Sequence, residues 1–136
     1  MAEGVLVEAG KHGSIREEDH GFGARLPGNL NHMDRIKLLL ELHEADPSDP
    51  FTLFALGFEH QKRERLKEAL KWYRATLSAD QDYTGVYYHL GKLYVELGRP
   101  VDAEQTYKEG ILICSQLRAL KERAELQQAL MELDNE

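Results

Sequence analysis

Three histidines, one cysteine and a row of phenylalanines are the residues of this chain whose types could do chemistry. His43, His60 and His89 lie outside the first 32 residues, but no two are spaced i,i+4. No second Cys or His stands at a ligand spacing, so a zinc site is not expected. Packed, hydrogen-bonded core side chains account for these histidines. Cys114 has no partner motif and falls near the end of an expected helix. A helix C-terminus disfavours a thiolate, so a structural cysteine is expected rather than a nucleophile. Gly21-Phe22-Gly23 lacks the preceding strand and following helix that a phosphate loop needs. The carboxylates read as solvated helix faces rather than as a buried pair for acid–base work. No catalytic residue, metal or cofactor is expected, and the chain reads as a non-enzyme. The basic run Lys62, Arg63, Arg65 and Lys67 is interrupted by Glu64 and sits at a turn. What stands out is aromatic: Phe51, Phe54 and Phe58 recur at i, i+3 and i+7, one stripe of a helix.

The 136 residues leave room for one domain, with 42% hydrophobic and 30% charged residues. That balance excludes collagen-like, mucin-like and wholly disordered classes. No apolar run approaches the roughly 20 residues of a membrane span. No basic-then-apolar N-terminal leader is visible. A single cysteine cannot form an internal disulfide, in keeping with a reducing, cytoplasmic setting. The net charge of −7 argues against nucleic acid and anionic membranes as partners.

Residues 1–32 hold six of the eleven glycines, with Phe22 as their only aromatic. They read as a disordered arm, leader or tag-like segment. The His32-Met33 junction is of the kind a cloning site or an alternative start leaves. A partner-binding arm is the functional alternative. From Met33 the pattern is helical throughout, and no segment reads as a core strand. Met33–Ala45 is a first helix, and Asp46-Pro47-Ser48-Asp49-Pro50 breaks it. Asp49 suits an N-cap and Pro50 the first helical position of Phe51–Lys62. Helices follow over 66–78, 84–97, 100–114 and 120–133, with Gly98 as a left-handed cap.

An internal period of 34 residues decides the fold class. Leu56-Gly57 recurs as Leu90-Gly91, Ala69 as Ala103, Tyr73 as Tyr107 and Arg65 as Arg99. Small residues at Gly57, Gly91, Ala69 and Ala103 admit close helix approach, and large ones at Leu53, Tyr73, Tyr87 and Tyr107 fill the space beside them. Leu53-x2-Leu56-Gly57-x2-His60 with Ala69-x3-Tyr73 resembles the tetratricopeptide repeat. So does Tyr87-x2-Leu90-Gly91-x2-Tyr94 with Ala103-x3-Tyr107. The resemblance implies an all-α helical-hairpin solenoid. Its units are a half repeat at 33–49, full repeats at 50–83 and 84–117, and a capping helix at 118–136. Stacked hairpins share one continuous core.

The resemblance also implies a function, protein–protein interaction through a concave groove. By the family's pattern the groove positions are Phe51, Phe54, Phe58, Gln61 and Lys62 in the first repeat. In the second they are Gly85, Tyr88, Lys92, Val95 and Glu96. Two readings of the phenylalanine stripe stand: an apolar peptide groove, or a patch covered by the preceding half repeat. Chaperone-binding relatives use Lys and Asn where this chain has Phe54 and Phe58, so acidic chaperone tails are not expected. A rival function is weak self-association through the incomplete N-terminal end, where Ile36, Leu38, Leu39, Leu40 and Leu42 span more than one helix face.

Overall fold

A computed structural model describes residues 31–135. The expectations for residues 1–30 lie outside the described residues. Six helices follow one another: α1 (His32–Ala45), α2 (Pro50–Lys62), α3 (Leu66–Ala79), α4 (Gly85–Glu96), α5 (Pro100–Leu117) and α6 (Leu120–Asp134). No strand occurs among the described residues, and none of these helices is long and apolar enough to cross a membrane.

Local chemistry sets the helix ends. The Asn31 side chain accepts from Asp34 N at 2.9 Å, so α1 begins at His32, one residue before the expected start. Asp49 caps α2 as expected, accepting from Phe51 N and from the Thr52 hydroxyl at 2.7 Å, with Pro50 in the first turn. Three interhelical turns share one geometry. Arg65 N donates to His60 O, Arg99 N to Tyr94 O and Ala119 N to Cys114 O, each bond 2.8–2.9 Å. Each turn places one residue in the left-handed region: Glu64, Gly98 and Arg118. Glycine takes this conformation without steric cost, and the other two do not. Only Gly98 is legible from sequence.

α2 with α3 and α4 with α5 form the two hairpins, α1 packs on α2, and α6 closes the far end against α4 and α5. The repeat residues Leu56, Gly57, Ala69, Tyr73, Leu90, Gly91, Ala103 and Tyr107 are all buried. Gly57 faces the Tyr73 ring, and Gly91 faces the Tyr107 ring in the same way 34 residues on. Gly110 performs a third close approach, admitting Tyr87 and Leu126 where α6 docks. α5 runs three residues past its expected end, because the turn that stops it is formed at Arg118 rather than near Cys114.

Candidate functional site

α2 and α4 lie side by side and carry the aromatic stripe. Phe54 stands at its centre. Its ring lies 5.9 Å from Tyr73, 5.7 Å from Tyr83, 5.4 Å from His89 and 6.3 Å from Phe58. It is only 4% exposed. The repeat register places Phe54 on an open groove; the structure places it in the core beneath, because rings from α3, α4 and the preceding loop close around it. Phe51, Phe58 and Tyr88 are half-buried. His89 joins the two helices, meeting Phe58 at 5.3 Å and Tyr88 at 5.5 Å, both edge to face.

Cations border this face. Lys62 Nζ lies 5.0 Å from the centroid of Phe58, and Lys92 Nζ lies 5.9 Å from that of Tyr88. Lys62 also pairs at 3.4 Å with Glu59, a fully buried carboxylate that Arg35 of α1 approaches at 3.9 Å. Val95 is 37% exposed farther along α4. Gln61 also joins three helices. Its amide accepts from Tyr73 OH at 2.6 Å and donates to Glu96 at 3.1 Å, tying α2, α3 and α4 together. Burial and the nearby Glu96 push the Tyr73 phenol well above its ordinary range, so it stays a donor. Gly85 is exposed with open space above its Cα.

The candidates for other chemistry sit apart. His60 is buried as expected, and among the described residues its Nδ1 has no hydrogen-bond partner. Desolvation holds its pKa below 6.5, against a smaller opposing pull from Glu68. His43 packs edge-on against Trp72 at 5.2 Å. Cys114 is buried and free, and desolvation pushes its thiol up to about 11. Among the described residues no group of three His, Cys, Asp or Glu is placed to hold a metal ion. Lys62, Arg63, Arg65 and Lys67 straddle the α2–α3 turn. His89 is the member of the aromatic face that the groove pattern misses. The available signal was its 34-residue counterpart, Ala55, a fully buried position.

These hairpins and their 34-residue repeat define a helical-repeat domain. A tetratricopeptide repeat family model matches residues 61–113. A tetratricopeptide repeat domain protein from Salinibacter ruber is 42% identical, matching 66% of this chain and 91% of its own, with a TM-score of 0.63. The chain belongs to the tetratricopeptide repeat family. Two more distant structures share the fold. SycD, a type III secretion translocator chaperone of Yersinia enterocolitica, is 17% identical with a TM-score of 0.70, over 76% of this chain and 72% of its own. PcrH, in complex with the chaperone-binding region of PopD, is 17% identical with a TM-score of 0.75, over 99% and 95%. No curated protein matches the sequence.

Proposed function

We propose that this domain is a non-enzymatic interaction module that holds a peptide segment of a partner protein across the α2–α4 face. The carrying observation is the pairing of half-buried rings with cations. Phe58 lies under Lys62 and Tyr88 under Lys92, with His89 between the rings. Aromatic surface of this kind contributes most when a partner side chain desolvates it, and such residues dominate interface energetics. Lysines at the rim favour an acidic or hydrogen-bond-accepting segment beside an apolar anchor. Phe51, Phe58, Gln61, Lys62, Tyr88, Lys92 and Val95 surround the proposed groove, and Phe54 supports it from below. PcrH, whose fold this chain shares, holds a segment of a partner protein, which supports the reading. The buried, free Cys114 suits the reducing cytoplasm in which we place the protein.

Its test is isothermal titration of the full chain with peptides carrying acidic residues beside a Phe or Leu. A Phe58→Ala/Tyr88→Ala variant of unchanged helicity serves as control. Binding that the double variant lacks supports the groove; equal binding by both proteins refutes it.

A second reading has its own observation. Met33 (55% exposed), Leu40 (41%) and Leu42 (39%) leave apolar surface on α1. Weak dimerisation through that end is expected from this surface. Sedimentation velocity across a hundredfold concentration range decides it, since a constant monomer mass removes the reading.

A further inference from the structure

The occupant of the proposed groove can be narrowed by where the chain enters the fold. Asn31 precedes α1, and Arg35 one turn later approaches Glu59, the carboxylate that also pairs with Lys62. Lys62 in turn lies over Phe58. The first turn of α1 therefore stands beside the last turn of α2, at one end of the aromatic face. Asn31, the first described residue, stands at that end.

Residues 1–30 carry five acids (Glu3, Glu8, Glu17, Glu18, Asp19) against three bases (Lys11, Arg16, Arg25). Three of the acids are consecutive and stand just ahead of Phe22, the only aromatic of the segment. That is the chemistry the face suits: an acidic cluster for Lys62 and Lys92, and a ring for Phe58, Tyr88 and His89. Reach is ample. Nine residues from Phe22 to Asn31 span up to about 30 Å, while Phe51 to Phe58 covers about 10 Å of helix.

We infer that residues 17–22 of this same chain occupy the α2–α4 face when no partner is bound. The inference rests on the groove reading above. A short tether presents the segment at an effective concentration in the millimolar range, so even a weak intrinsic fit is populated. An outside peptide must displace it, and its apparent affinity falls by the fraction of molecules that are open. The acidic segment thereby acts as a built-in competitor that sets a threshold for partners.

Amide NMR of the full chain and of its Phe22→Ala variant tests this. Removing the ring is expected to move the resonances of Phe58, Tyr88 and His89 and to leave those of α6 in place. A synthetic peptide of residues 14–26 is expected to saturate the same resonances in the variant, with an apparent affinity about threefold or more tighter than for the unaltered chain. Unmoved α2 and α4 resonances overturn the self-docking. Shifts that vanish on dilution, with a doubled mass in sedimentation, overturn it too, because the occupant is then a second copy. Should the resonances stay unmoved while the peptide still saturates the variant, only the docking in cis has failed and the groove reading stands.

Discussion

Two glycines of α4 give opposite expectations for the same substitution. A Cβ on Gly91 would fall on the Tyr107 ring, 2.6 Å from Cδ1 and 2.7 Å from Cζ. The Tyr107 Cε1 atom lies closer still, and carbon atoms rest at about 3.5–4.0 Å, so the ring must withdraw by about 1.5 Å. Tyr107 is fully enclosed and has no open space to enter. Overpacking costs roughly 1–3 kcal/mol, and an overlap this deep belongs at the upper end. Alanine recovers about 1 kcal/mol of helix propensity over glycine, so Gly91→Ala should lose about 2 kcal/mol net. Gly85 has nothing within 4 Å of its would-be Cβ. Gly85→Ala should therefore gain up to about 0.5 kcal/mol. Thermal and urea unfolding followed by circular dichroism reads both, with a drop of roughly 10 °C expected for the first. Adding Tyr107→Leu to Gly91→Ala should recover about 1 kcal/mol in a double-mutant cycle. A Gly91→Ala protein that melts at or above the unaltered one would refute the hairpin packing described above.

Three further outcomes follow from single sites. The unfolded chain takes up a proton at His60 near pH 6.5, while the folded chain resists it because burial lowers the pKa. Stability should therefore fall as pH drops below 6.5 and level off at the lowered value, and His60→Tyr should flatten that fall in urea titrations at stepped pH. Glu64 holds a left-handed conformation at φ 60°. Glu64→Gly should raise stability by about 0.5–1 kcal/mol, and a destabilised variant would show that the Glu64 side chain is needed. Cys114 should react with iodoacetamide far more slowly than a free thiol until the protein unfolds, since its thiolate is both buried and disfavoured; mass spectrometry of the folded protein at pH 8 checks this.

The hairpin framework was legible because the 34-residue offsets fall on residues with only one steric solution. Gly57 and Gly91 exist to admit Tyr73 and Tyr107, and that pairing is visible in the sequence. The face was less legible, because a repeat register gives the direction of a Cα–Cβ bond and not what surrounds it. Phe54 has the groove register, yet Tyr73, Tyr83 and His89 enclose it. Gln61 has the same kind of register but is committed to Tyr73 and Glu96, contacts between residues 12 and 35 positions apart. His89 stands out in the sequence only as a titratable side chain, and its place between Phe58 and Tyr88 depends on how the two hairpins stack. The turn at Arg63-Glu64-Arg65 was legible from its charges, but no glycine marked Glu64 or Arg118 as a left-handed residue.

The α2–α4 face as a peptide site is the central claim, and one comparison tests it most directly. A peptide selected for binding to the full chain from a random library is titrated calorimetrically into the unaltered protein and into Phe58→Ala/Tyr88→Ala. The rings are half-buried and border the surface, so the double variant should keep its helical spectrum. Loss of two aromatic contacts at about 1–2 kcal/mol each should weaken binding by roughly 30-fold or more. An affinity within twofold of the unaltered protein, with both rings removed, would place the binding surface elsewhere on the solenoid.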